Sequence, residues 1–292
     1  SSRHRDLSAC LSLPGDRPKA SLRDQNGVLW LAKLPLKTDR WDVPEIEYAT
    51  LLLAQRCRIV TPPIKLIRLG KRSVLILRRF DRYWGSRTKA FSLSSSKLRI
   101  NQIPDSQQEE CRIHAVSGTT LLGVDGLTSH HFGWADLVEA YREVAFPVGL
   151  FKDLEELFRR AVFNIIAGVD QDPFSNTTFL FDSNRGGWRL GPYYGARSDH
   201  NRKPGMPRKM GSLEREARLE NLMSIHTSFN LKRSKALAII NRVLEKLTDW
   251  DVFLNENEIS QKTIDEMRMA IRSIEDVSKD GFRNELAECK NK

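Results

Sequence analysis

The stretch that most constrains this chain is "DLEELFRRAVFNIIAG", residues 153–168. Its apolar residues Leu154, Leu157, Phe158, Ala161, Val162 and Ile165 follow the i, i+3, i+4 spacing of a helix with one apolar stripe. Gly168 stands where a left-handed residue commonly ends a helix. The acidic segment "VDQDPFSN" follows, and then two strand-like runs, "NTTFLFD" and "GWRLGPYY", around "SNRGG". A buried helix, an acidic loop ending in Asn176 and a hairpin must therefore fit together in that order. With 292 residues the chain can build one large domain, or two lobes, around a real core.

The region before that helix has a different period. "KASL" and "VLWLAKL" are short apolar runs split by "RDQNG", and Asn26-Gly27 predicts a hairpin between them. "DVPEIEYATLLLAQRC" predicts a helix with Asp42 as N-cap and Pro44 in the first turn, where a missing N–H costs nothing. "IKLIRL" and "SVLILRRF" predict a second hairpin around Gly70-Lys71. From Tyr83 to Asp105 the chain is polar and reads as loop. After about Cys111 the pattern turns helical, with "WADLVEAYREVA" amphipathic, and from Leu213 onward it is helical again after a basic loop from Arg197 to Gly211. No internal repeat is visible. A strand-rich front (1–82) and a helix-rich back (83–292) predict two lobes with a ligand cleft between them.

The net charge of +10 and pI near 9.6 point to an anionic partner: a nucleotide, a nucleic acid or an acidic protein surface. A solvated basic surface explains the charge equally well. The four cysteines (10, 57, 111 and 289) are scattered without metal-ligand spacing, which excludes a zinc motif and suits a reducing cytoplasm. No apolar run reaches the roughly 18 residues of a membrane span. The start, "SSRHRDLSAC", leads into no apolar h-region, so no signal peptide is expected, and its lack of Met points to a fragment or a processed chain.

Three places have chemistry in view. Gly15, in "SLPGDRPKAS" near Ser12 and Lys19, would let backbone N–H groups approach a phosphate, although a plain turn fits it as well. Lys33 is the only charge in "VLWLAKL", and a lysine among apolar strand residues is costly unless its head is paired. Glu45 and Glu47 on the next helix offer that partner, the arrangement protein kinases use to hold nucleotide phosphates; an edge-strand lysine facing water is the alternative. The acidic loop before Asn176 fits a kinase catalytic loop, in which an Asp takes the hydroxyl proton and an Asn binds magnesium, or it is an acidic surface loop.

Taken in order, "GDRPKAS", "LWLAKLP", the helix with Glu47, "RRFDR", "RIHAVSGTTLLG", "ELFRRAVFNIIAG", "NTTFLFD" and "WRLGPYY" resemble the HipA family, bacterial serine/threonine kinases that act as toxins of toxin–antitoxin pairs. The likeness runs from about Gly15 to Arg197 and loosens in the C-terminal helices. It implies an α+β, two-lobed protein-kinase-like fold, with a small β-rich N-lobe and a larger, mainly α C-lobe. It implies ATP and Mg²⁺ as cofactors. It makes Gly15, Asp16, Arg17 and Lys19 the phosphate loop, Ser12 an autophosphorylation candidate, Lys33 the phosphate lysine with Glu47 its partner, Leu77 to Arg79 the adenine hinge, and Asn176 a metal ligand. It also implies a helix-turn-helix antitoxin as partner, with DNA contacted only indirectly through that complex, a protein substrate, and a cytoplasmic site of action. Family kinases carry a short subdomain before the phosphate loop; the chain begins about a dozen residues before Gly15, so that subdomain is expected to be encoded separately, cut away or lost.

The departures carry equal weight. The family loop reads roughly G-N-x-D-D-H-x-x-N; here it is "GVDQDPFSN". Gln171 holds the catalytic-base position with Asp170 and Asp172 beside it, Pro173 holds the His position, and the metal-binding Asp position of P-x-Y-D holds Gly195. Gln171 cannot take a proton at neutral pH, and a positioned base contributes about 10²–10⁴-fold. Three accounts stay open: a natural pseudokinase, an inactivated or damaged copy, and a rerouted site using Asp172 or Asp199. The functional expectations are accordingly an impaired HipA-like kinase with an ATP pocket, or a non-catalytic module that engages an antitoxin or another protein.

Overall fold

The computed structural model describes residues 17–70, 72–85, 109–124, 131–169, 171–199 and 205–290. Strands β1 (Lys19–Arg23) and β2 (Leu29–Lys33) form an antiparallel hairpin, with Gly27 at φ +76° in the turn. Helix α1 (Val43–Arg56) follows; Asp42 caps it by accepting from the Glu45 N–H at 3.4 Å, and proline lies in its first turn. Strands β3 (Ile64–Leu69) and β4 (Arg72–Arg78) make the second predicted hairpin, and the four strands form one sheet in the order β1-β2-β4-β3. The apolar run of β4 buries Val74, Leu75, Ile76 and Leu77 on both faces, as suits one of the sheet's two inner strands. Helix α1 packs Ala49, Leu51, Leu53 and Ala54, all fully buried, into the main core.

Two expectations are corrected here. Tyr83 to Gly85, read as the start of a loop, belongs to strand β5 (Arg82–Gly85), paired with β6 (Glu109–Arg112). The segment after Cys111, read as turning helical, first forms β7 (Ala115–Ser117) before the short helix α2 (Gly118–Leu121). Both strands take their hydrogen bonds from partners distant in sequence: β7 is the outer strand of a β7-β8-β9 sheet with β8 (Thr178–Asp182) and β9 (Gly187–Leu190). Short polar segments carry no local periodicity that reveals such pairing.

Helices α3 (Trp134–Val144) and α4 (Leu150–Ile166) build the centre of the core. The sequence predicts one apolar stripe on α4, but the structure buries it almost all round. Asp153, Glu156, Arg160 and Asn164 on its polar side are 1–8% exposed. Each is paired: Asp153 accepts from Arg189 at 2.7 Å and from the Tyr141 hydroxyl at 2.5 Å, and Arg160 donates to the Gly191 carbonyl at 2.8 Å and to Glu156 at 3.2 Å. Asn164 accepts from the Tyr193 hydroxyl. The β9 strand and the segment after it are thus bolted to α4 by polar contacts. Gly168, at φ +64°, ends the helix as predicted, with the Val169 N–H reaching back to the Asn164 carbonyl at 3.1 Å.

Short helix α5 (Pro173–Asn176) lies in the acidic loop. The helices α6 (Leu219–Met223), α7 (Arg233–Lys246), α8 (Trp250–Glu256), α9 (Gln261–Ala270), α10 (Ile274–Val277) and α11 (Asp280–Lys290) complete the chain. The helical run starts at Leu219 rather than Leu213, because Asn221 holds the preceding segment in a non-helical path through the Glu214 and Glu216 carbonyls at 3.2 and 3.0 Å. Among the described residues, no helix is long and apolar enough to cross a membrane.

Candidate functional site

Lys33 ends β2, and its Nζ pairs with the Glu47 carboxylate on α1. Glu47 is 6% exposed, which leaves Lys33 as the partner that makes its burial tolerable. The β1–β2 register sets Lys19 directly opposite Lys33, so the two lysines share one face of the sheet, with the Glu47 carboxylate between Lys33 and α1. Lys19 Nζ also donates to the Arg17 carbonyl at 3.3 Å. Arg17 pairs with Asp39, whose carboxylate accepts from the Leu36 N–H at 2.8 Å and so ties the entry to β1 to the loop before α1. Ser12, Gly15 and Asp16 lie outside the described residues.

Glu45 points the other way. Two residues from Glu47 on a 3.6-residue helix, it must face the opposite side. It is 1% exposed and accepts from the Ser260 N–H at 3.0 Å, the Ser260 hydroxyl at 2.6 Å, the Thr263 hydroxyl at 2.7 Å and Arg68 at 2.6 Å. Burial pushes its carboxyl up, but the Ser260, Thr263 and Arg68 hydrogen bonds outweigh this and hold it below the usual glutamate range. The helix that carries Glu47 is therefore pinned to the start of α9.

At the end of β4, Leu77 is buried and faces Leu31 on one side and Ile64 on the other. The N–H groups of Arg78 and Arg79 are spent on the Pro63 and Leu29 carbonyls at 2.9 and 3.0 Å. The Leu77 to Arg79 hinge thus has neither of those two donors to offer a base edge. The Arg79 side chain clamps Asp81 with Nε at 2.8 Å. Burial raises the Asp81 carboxyl, and the Arg79 and Arg82 guanidiniums more than reverse it, leaving it lowered. Phe80, between the two clamped residues, packs at a tilt against Tyr194 with ring centroids 5.2 Å apart, and the Tyr194 hydroxyl meets Thr178 at 2.9 Å.

The acidic loop is clasped to the segment after β9 at three points. The Asp199 N–H donates to the Gly168 carbonyl at 3.1 Å. Gln171 Oε1 accepts from the Arg197 N–H at 2.6 Å. Asn176 Nδ2 donates to the Gly195 carbonyl at 2.7 Å. Gly195 is left-handed at φ +67°, and a Cβ there would stand 2.8 Å from the Asn176 amide. The loop carrying Gln171 and Asn176 is thus held against the segment carrying Gly195, with Gln171 bonded to the Arg197 backbone and Asn176 to the Gly195 backbone. Asp170 lies outside the described residues.

Asp172 is structural in this geometry. Its Oδ1 caps α5 by accepting from the Phe174 N–H at 3.0 Å, and Oδ2 accepts from the Ser175 hydroxyl at 2.8 Å. The Arg208 guanidinium grips the same carboxylate with Nε at 2.7 Å. Burial raises this carboxyl, while Arg208, Ser175 and the Phe174 N–H bring it below the ordinary aspartate range. The Asp199 carboxylate meets Arg197 at 3.0 Å. Sequence reading missed Arg208, which lies 36 residues from Asp172 in a stretch read only as basic loop. Its one available signal was the pairing demand of a half-buried Asp172.

Among the described residues, no three His, Cys, Asp or Glu side chains come together to hold a metal. With Gly195 lacking a side chain and Asp172 and Asp199 each paired with an arginine, the described part of the loop does not fit a magnesium ion, which binds through one or two carboxylates besides phosphate. The lysine face beside Glu47 has the donors that suit a polyphosphate.

Residues 11–250 match the HipA-like C-terminal domain family. The structure is similar to HipA of Shewanella oneidensis MR-1, solved with HipB and operator DNA as a toxin–antitoxin system. That match has a TM-score of 0.56 and 16% identity, covers 100% of this chain and spans 65% of the HipA chain. It is also similar to the Helicobacter pylori proinflammatory kinase CtkA, with a TM-score of 0.56, 12% identity, and coverage of 96% of this chain and 90% of that one. None of the curated protein sequences matches the chain. The mixed α+β, kinase-like fold expected from the sequence is the fold adopted.

Proposed function

Since this chain belongs to the HipA-like C-terminal domain family, we propose that it is a kinase-fold protein that holds ATP on the Lys33 face and in which phosphotransfer is impaired. The observation that carries this is the Lys33–Glu47 pair, with Lys19 opposed across the β1–β2 ladder. Glu47 holds the Lys33 head in place; Lys33 and Lys19 would bind the α- and β-phosphates. Bound ATP would supply a phosphoryl group, and the chain's own residues supply little to move it. Gln171 has no proton-accepting capacity at neutral pH, and its amide oxygen is engaged by Arg197.

The partner proposed is a helix-turn-helix antitoxin, by analogy with the complex in which the Shewanella HipA was solved. DNA would be met through that complex, where the chain's net charge of +10 adds attraction to phosphates. A non-catalytic binding role is the second reading, favoured by the clasp of Gln171 and Asn176 onto Arg197 and Gly195.

Thermal shift with ATP tests the pocket. At a hundred times its dissociation constant, ATP would stabilise the fold by about 2.7 kcal/mol. A shift that disappears in Lys33→Ala supports the pocket; no shift in the unmodified chain refutes it.

A further inference from the structure

We propose that this site binds the nucleoside triphosphate without a divalent cation, an inference that rests on the nucleotide reading above. The space a metal-ligating side chain would need at position 195 is already taken. Gly195 is left-handed, the Asn176 amide lies 2.8 Å from where a Cβ would stand, and that amide donates to the Gly195 carbonyl at 2.7 Å. Gln171 accepts from the Arg197 N–H, and the Asp199 N–H reaches Gly168, so the segment carrying Gly195 is fastened at two points just beyond it. Asp172 is bound by an arginine that is itself 3% exposed. The carboxylates that draw magnesium to a triphosphate are absent or neutralised among the described residues.

The charge balance of the lysine face supports the same conclusion. Lys19 and Lys33 stand opposite each other on neighbouring strands, and Glu47 pairs with Lys33. Two like charges directly opposed repel, and a polyphosphate between them relieves that repulsion. The ligand thus gains from protein cations what a magnesium ion supplies in a metal-dependent site. In a site whose described carboxylates are engaged by arginines, magnesium in solution competes with the protein for the phosphates.

Isothermal titration of ATP into the full chain, once in EDTA and once in excess Mg²⁺, decides the matter. Linked ligands change each other's affinity by about 5–150-fold, so the expected result is a dissociation constant equal in the two buffers, or tighter in EDTA. Binding that is about fivefold or more tighter with Mg²⁺ overturns the proposal. Absence of binding in both buffers refutes the nucleotide reading itself, a different failure from the first. Lys33→Ala is expected to remove binding in EDTA; retained binding in that variant places the ligand elsewhere and also overturns the proposal.

Discussion

Restoring the carboxylate at position 195 is the sharpest test of the clasp. In Gly195→Asp the new side chain must adopt φ +67° and enter space 2.8 Å from the Asn176 amide. Left-handed backbone at a non-glycine residue costs about 1–3 kcal/mol, with aspartate near the lower end because it tolerates that region better than most. Displacing Asn176 breaks its bond to the Gly195 carbonyl, worth about 0.5–1.5 kcal/mol. The sum is about 1.5–2.5 kcal/mol. At about 2–4 °C per kcal/mol for a chain of this size, the melting temperature falls by about 3–10 °C. Gly195→Ala brings the same contact and a somewhat larger left-handed strain without a carboxylate, so its loss should match within about 1 kcal/mol. Calorimetry of both variants measures this. A Gly195→Asp protein that melts with the unmodified chain, and gains magnesium-dependent phosphotransfer, would show that the position still accommodates a metal ligand and would refute the reasoning.

Glu45→Gln removes the charge from a carboxylate that accepts from Ser260, Thr263 and Arg68. Weakening these charge-assisted bonds is expected to cost about 2–4 kcal/mol in urea denaturation and to weaken ATP binding indirectly by freeing α1. Arg208→Ala leaves Asp172 half-buried without its main partner, at a cost of about 2–3 kcal/mol, below the figure for a fully buried pair because Asp172 keeps contact with solvent. Acid should destabilise the protein through the same two carboxylates. Both are held below their ordinary values in the fold, so their stabilisation is complete above the unfolded values of 4.5 for Glu45 and 3.8 for Asp172, and is lost as pH falls through the lower native ones. Melting temperature against pH should therefore be flat near neutrality and fall below about pH 4.5, with a shallower fall in Glu45→Gln.

The first two hairpins, α1 and α4 were legible because each is specified locally. Asn26-Gly27 and Gly70 supply turns, Asp42 and Pro44 start a helix, and Gly168 ends one. What escaped is specified by distant partners. Strand β7 exists because β8 offers it an edge 63 residues on, as in the pairing of Val116 with Phe179. The polar side of α4 looked solvent-facing because its charges resemble a wet helix face. It is buried because Asp153, Arg160 and Asn164 find Arg189, Gly191 and Tyr193, all around a hairpin whose docking no local pattern announces.

The candidate site divides along the same line. Lys33 was legible because a lysine among apolar strand residues must be paired, and the two-residue offset of Glu45 and Glu47 sends them to opposite faces of α1, so only one can reach it. The acidic loop was harder, because Asp172-Pro173 carries two meanings. Asp42 with Pro44 reads as a helix start, and Asp172 with Pro173 is the same capping signal, now at α5. In an acidic loop it passed for chemistry. The structure gives it the capping role and adds Arg208, and both lower its affinity for a proton. A general base works best with a pKa near the operating pH, so every bond that steadies Asp172 as a cap makes it a worse base. Within this loop, order and catalysis draw on the same carboxylate, and the geometry spends it on order.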